Sequence, residues 1–284
     1  QTFRAENIVT RSAQKAGYQQ RTTGSNESQF SMLEKLELSQ HAHHRLVEHC
    51  EEEGIQFLST AFDLESLYFL TNSLRLPLLK IPSGEVTNGP LLLAYAQTGC
   101  NLIVSTGMAN LEEVKNALSV LAFGMTSKGA PTKNSLKAAY SSNVGRSLLQ
   151  QRITLLQCTT EYPTLPVDVN LGAMKTMFEE FGVSVGFSDH TRGITAAISA
   201  VALGGTVIEK HLTLNRDLPG PDHEASLEPD EFTLMVRAIR DVGEMLGDGV
   251  KRPRSCELPN RVAARKSVVA DLAIEKGEKF GKAK

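Results

Sequence analysis

Short apolar, β-branched runs alternate with stretches of helical length along most of this chain. That repeat constrains the fold more than any other feature. The predicted strands cover residues 55–62, 77–81, 101–105, 152–158, 184–187 and 206–210. The predicted helices cover 29–54, 63–74, 89–99, 110–123, 169–182 and 193–204, each with apolar residues at three- and four-residue spacing. Asn110, followed by Glu112 and Glu113, reads as a helix cap with acids in the first turn. Pro229 suits the first turn of a last helix through Leu246. Repeated βα units call for a parallel sheet buried on both faces.

A doubly wound open sheet and a (β/α)8 TIM barrel both fit that repeat. No Gly-rich G-x-G-x-x-G turn follows a strand, which removes the main signal of the dinucleotide-binding open sheet. Polar residues also gather at the C-terminal ends of nearly all the strands: Ser59 and Thr60, Lys80 to Glu85, Ser105 and Thr106, Thr159 to Tyr162, Ser188 to His190, and Glu209 to His211. A barrel collects its strand ends at one mouth, where barrel active sites sit. We therefore expect an α/β chain with a TIM barrel over residues 1–250, a linker over 251–260 and the start of a small further unit over 261–284. Residues 267–270 look strand-like, and the polar insertion 124–151 reads as a loop with a short helix.

Composition narrows the function classes. A net charge of −2 gives no electrostatic case for nucleic acid. No apolar run reaches the roughly 18 residues a membrane span needs, so no membrane partner is expected. Four cysteines lie far apart, with no zinc or redox spacing; reduced thiols and a cytoplasmic location are expected.

Two predicted strands end in histidine, His190 and His211, with one apolar helix between them. Consecutive parallel strands lie about 4.8 Å apart, so the two imidazoles can converge on one ion and leave positions open for substrate. Either histidine alone could equally be a satisfied loop residue. Lys80 ends an apolar run and is followed by Ser83 and Glu85. With the hydroxyls of Thr60, Thr160 and Ser188 it suits a phosphate or carboxylate, although a rim pair between Lys80 and Glu85 is the plainer alternative. Tyr162 and Asp222 stand in Pro-containing loops after the strands. This set suggests carbonyl chemistry on a phosphorylated substrate. A Schiff-base aldolase using Lys80 or Lys210 is the rival enzyme reading.

The segments KIPSGE (80–85), STGM (105–108), LQCTTEYP (156–163), GFSDHT (186–191), IEKHLT (208–213) and GPDH (220–223) together resemble the sialic acid synthase family, whose members make neuraminic, legionaminic and pseudaminic acids. The resemblance covers almost the whole chain. It implies a TIM barrel followed by an antifreeze-like (SAF) domain, and metal-dependent condensation of phosphoenolpyruvate with an N-acetylated hexosamine. It implies Mn²⁺ on His190 and His211, with Mg²⁺ or Co²⁺ as alternatives. Lys80, Ser83, Thr60, Thr160 and Ser188 would hold phosphoenolpyruvate, while Tyr162, Asp222 and Glu85 would handle the sugar. Glu85 would also transfer protons. Thr160 stands where the family often has Asn or Ser. The family's second strand ends just before a tripeptide like Gln1-Thr2-Phe3. The resemblance therefore implies a barrel lacking its first strand and most of its second, a SAF domain cut short, and a chain inactive by itself. It also implies a homodimer with exchanged SAF domains for the complete protein.

Overall fold

The computed structural model describes residues 1–24 and 26–279; residue 25 and the last five residues of the expected SAF segment lie outside the described residues. The chain divides into two units, Gln1–Met245 and Leu246–Lys284.

The first unit is built on a five-stranded sheet, β1 (Leu78–Ile81), β2 (Asn101–Ser105), β3 (Ile153–Gln157), β4 (Ser184–Asp189) and β5 (Ile208–Lys210), in sequence order. All four pairings are parallel. Side chains alternate between two faces. Leu79, Ile81, Leu102, Val104, Ile153, Leu155, Val185 and Phe187 point outward and join the main core with Leu92, Tyr95, Leu118, Leu121 and Met174 of the covering helices. Lys80, Ile103, Ser105, Leu156, Cys158, Ser188 and Glu209 occupy the opposite face.

The sheet is strongly curled. A flat sheet would hold β1 and β5, four strand spacings apart, at about 19 Å. Instead Lys80 Nζ at the end of β1 lies 3.2 Å from Glu209 Oε1 in β5. That contact across the ring decides between the two architectures in favour of a barrel-like, curled parallel sheet. Among the described residues, β1 continues outward through isolated parallel bridges, Thr60 to Lys80 and Thr2 to Ala61.

The predicted strand 55–62 is thus reduced to two bridged residues. Ile55 is 63% exposed, and beyond Ala61 the described pairing partner is the single residue Thr2. The bridge region is fastened from behind by Tyr95. Its hydroxyl lies 2.7 Å from the Ala61 carbonyl and 2.8 Å from the Lys80 carbonyl, and it accepts from Ala61 N at 3.0 Å. Tyr95→Phe would strand these buried backbone groups. It is expected to cost about 1–3 kcal/mol in urea unfolding; an unchanged midpoint would contradict this anchoring role.

Helix boundaries follow caps. Asn110 and Glu113 form a reciprocal capping box that starts Leu111–Thr126. The last helix spans Pro229–Leu246, as expected from its first-turn proline. The predicted helix 29–54 is two helices, Gln29–Glu34 and Gln40–Glu52, because Ser39 accepts from Ala42 N and starts a second one. The predicted helix 63–74 is Leu64–Tyr68, capped by Asp63, followed by a π-helical turn, Phe69–Ser73. The insertion is more ordered than expected. Thr132 and Ser142 cap two helices, Lys133–Ser141 and Asn143–Arg152. They meet at Gly145, where a Cβ would lie 2.0 Å from the Ala139 carbonyl oxygen.

The second unit holds a short turn, Ser255–Glu257, and one helix, Leu258–Ala264. The strand-like residues 267–270 form no strand. Val268 and Val269 there are exposed. Cys50, Cys100, Cys158 and Cys256 are all free. No described helix is long and apolar enough to cross a membrane.

Candidate active site

The register of β4 on β5 builds the centre of the mouth. Ser188 pairs with Glu209 and Asp189 with Lys210, so the next residue on each strand, His190 and His211, falls side by side. Their ring centroids are 5.5 Å apart. The outward pair holds this register. Lys210 Nζ lies 2.9 Å from Asp189 Oδ2 with both side chains fully buried. Asp189 Oδ1 accepts from Thr191 N at 2.8 Å and from Thr191 Oγ1 at 2.7 Å. Lys210 also donates to the Thr191 carbonyl. Its ammonium therefore faces away from the mouth.

His190 is prepared as a lone-pair donor. Its Nδ1 lies 2.7 Å from the Thr159 carbonyl, which can only accept, so Nδ1 carries the proton and Nε2 the lone pair. Burial is the main cause that lowers its pKa to about 4, so the ring is neutral near pH 7. Tyr162 lies over it at 4.1 Å and sits 5.6 Å from His211. Burial pushes the Tyr162 phenol well above its ordinary value, keeping it a neutral O–H donor. On its other side Tyr162 stacks at 4.8 Å on Tyr18, whose pKa burial and then Asp222 raise to about 12. Asp222 Oδ2 stands 3.9 Å from His211 Nδ1. Burial raises the Asp222 pKa, and His211 and His223 partly offset that.

Next to the histidines lies a corner suited to an anion. Lys80 meets Glu209, not Glu85, at 3.2 Å, and Ser188 Oγ donates to the same carboxylate oxygen at 2.6 Å. Thr60 is bridged to Lys80 and faces the same side. Gly107 N donates to Ser83 Oγ at 3.0 Å and to Cys158 Sγ at 3.1 Å. The space above Gly107 is full: a Cβ there would lie 2.4 Å from Thr160 Oγ1 and 2.9 Å from both Ser83 Oγ and Cys158 Sγ. Gly107→Ala is expected to cost about 1–3 kcal/mol by overpacking, measured by urea unfolding. A neutral result would show that this cradle is loose.

Among the described residues, three buried side-chain oxygens lack a hydrogen-bond partner: Ser105 Oγ, Thr160 Oγ1 and Asp222 Oδ1. All three belong to strand ends or loops of this mouth. Unpartnered buried oxygens in one place fit a polar ligand. No described group of three or more His, Cys, Asp or Glu side chains forms a metal site. The two imidazoles fit an ion that takes its remaining partners from substrate and water.

The structure thus brings Lys80, Ser188, His190, His211, Tyr162 and Asp222 together, with Thr60, Ser83 and Thr160 beside them. Glu85, in the same short turn as Ser83, accepts from Asn88 Nδ2 at 2.6 Å. Sequence reasoning missed three participants. Glu209 shares a face with His211 by strand parity, a signal that was there to read. Tyr18 and the Thr159 carbonyl arrive through tertiary packing and had no signal.

Residues 1–251 match the model of the NeuB family. The chain belongs to that family. It is 46% identical over 280 residues to N,N'-diacetyllegionaminic acid synthase of Campylobacter jejuni, covering 99% of this chain and 77% of that protein. It is 41% identical over 282 residues to the enzyme of the same name from Legionella pneumophila, covering 99% and 73%. A crystal structure of N-acetylneuraminic acid synthetase from Leptospira borgpetersenii, in complex with citrate, superposes with a TM-score of 0.69 at 29% identity. That match covers 88% of this chain and 80% of that one. The resemblance carried by the six motifs is borne out at the level of the NeuB family, and the curled parallel sheet has a sialic acid synthetase as a structural neighbour.

Proposed function

We propose that this NeuB-family protein condenses phosphoenolpyruvate with an N-acetylated hexosamine, giving a nonulosonic acid and phosphate. The supporting observation is the meeting, at one mouth, of the His190–His211 pair with the anion-fitting corner of Lys80 and Ser188. A divalent ion, Mn²⁺ or alternatively Mg²⁺ or Co²⁺, held by His190 and His211 would polarise the open-chain sugar aldehyde.

Lys80, Ser83, Thr60, Thr160 and Ser188 bind and orient phosphoenolpyruvate so that its methylene carbon faces that aldehyde. The C–C bond forms between that methylene carbon and the aldehyde carbon, whose oxygen takes up a proton. Water adds at the phosphate-bearing carbon and loses a proton, and the C–O bond from that carbon to phosphate breaks, leaving the keto group. Tyr162 and Asp222 line the sugar side, Tyr162 as a neutral donor. Glu85 is the proposed proton-transfer group, and its carboxylate accepts from Asn88.

The two diacetyllegionaminic acid synthases among the relatives support a 2,4-diacetamido-trideoxymannose substrate over N-acetylmannosamine; pseudaminate formation is a further alternative. Mass spectrometry of the products with each sugar tests the choice. A nine-carbon product from the diacetamido sugar is expected, and a product from N-acetylmannosamine alone would overturn it.

The Schiff-base aldolase is less well supported. Lys210 is sealed against Asp189, and the Lys80 nitrogen is engaged by Glu209. Borohydride trapping is expected to yield no adduct; a pyruvate adduct on Lys80 would favour the aldolase.

A further inference from the structure

Glu209 has no task in the mechanism above, yet it organises two residues that do. Its Oε1 receives Lys80 Nζ at 3.2 Å and the Ser188 hydroxyl at 2.6 Å. Ser188 has one proton and two acceptors in reach, because His190 Nε2 lies 3.4 Å from the same Oγ. That nitrogen carries the free lone pair of the ring, since Nδ1–H is committed to the Thr159 carbonyl. A carboxylate at the shorter distance is the stronger acceptor. The Ser188 proton therefore goes to Glu209, and His190 Nε2 stays free. Lys80, itself buried, holds the carboxylate in place.

We infer that Glu209 is a positioning residue: by drawing the Ser188 proton toward itself, it keeps the His190 Nε2 lone pair open for the ion and substrate. The inference rests on the proposed role of His190 as an ion ligand. Without Glu209, the Ser188 hydroxyl would turn to His190 Nε2 and compete with the ion for its lone pair. Glu209 also contributes negative charge two residues from His211, so charge and proton control have to be separated.

Four variants of the full-length protein do this, read by electron paramagnetic resonance titration of Mn²⁺. Glu209→Gln removes the charge but keeps an acceptor for Ser188. Glu209→Ala removes both. Its Mn²⁺ affinity is expected to fall about tenfold below that of Glu209→Gln, the worth of one net hydrogen bond. Ser188→Ala/Glu209→Ala has no hydroxyl left to block the ring and should recover the Glu209→Gln affinity. Ser188→Ala alone should bind Mn²⁺ no more weakly than the wild type.

Lys80 loses its partner in both Glu209→Ala variants, so any general loosening cancels between them. Equal affinities for Glu209→Ala and Glu209→Gln would overturn the inference, as would a double variant no better than Glu209→Ala. A wild-type protein that binds no Mn²⁺ would overturn the ion reading itself. Tight wild-type binding that ignores all four changes would overturn this inference alone.

Discussion

Replacing His190 by alanine is expected to cut phosphate release in the presence of Mn²⁺, phosphoenolpyruvate and sugar by at least about 10³-fold. That corresponds to the several kcal/mol an ion supplies to a polarised carbonyl. The effect is large because the ring has no substitute. It is buried and neutral, its pKa near 4. Its Nδ1–H is fixed on the Thr159 carbonyl, and Nε2 is the atom left to bind. Alanine leaves His211 alone, 25% exposed at its side chain, facing Asp222 at 3.9 Å. The loss should appear in Mn²⁺ affinity as well as in turnover, while the fold, carried by the outward core, should persist in circular dichroism. A His190→Ala protein that turns over at the wild-type rate would contradict the assignment.

Lys210→Ala is expected to destabilise the fold by about 3–5 kcal/mol, because it leaves an uncompensated carboxylate in the interior. Lys210 and Asp189 are both fully buried, 2.9 Å apart. Burial pulls the Lys210 pKa down and Asp189 pulls it back up, so the charge depends on its partner. Thr191 adds its N–H and hydroxyl to Asp189 Oδ1 and its carbonyl to Lys210 Nζ. Asp189→Ala should be similarly costly. Lys210→Met/Asp189→Leu should be milder than either single change, since it buries no lone charge. The pair also locks β5 against β4, so the single variants should lose Mn²⁺ affinity as well as stability. Urea unfolding measures the first effect. A loss below about 1 kcal/mol, the worth of an exposed pair, would show that the pair does not hold the register.

Much of the curled α/β sheet was readable because its signals are local. Apolar strands, Asn110 and Pro229 act within a few residues, and the corresponding elements lie where expected. Residues 55–62 have the composition of a strand, but a strand needs neighbours, and composition does not supply them. The insertion looked like a loop because its polar residues dominate. Its two helices depend on Thr132 and Ser142 as caps and on a glycine contact between them.

In the mouth, His190 and His211 were legible because the same strand-end pattern recurs 21 residues apart. Glu209 was legible by parity with His211 but looked like one more polar strand end. Tyr18 and the Thr159 carbonyl were not, since one comes from a distant segment and the other is backbone.

The central claim, that the His190–His211 mouth joins phosphoenolpyruvate to an N-acetylated sugar, is tested most directly by phosphate release from the full-length protein. Release should require phosphoenolpyruvate, Mn²⁺ and the 2,4-diacetamido sugar or N-acetylmannosamine together, and should stop on addition of a chelator. Phosphate released from phosphoenolpyruvate alone, and indifferent to chelator, would contradict it.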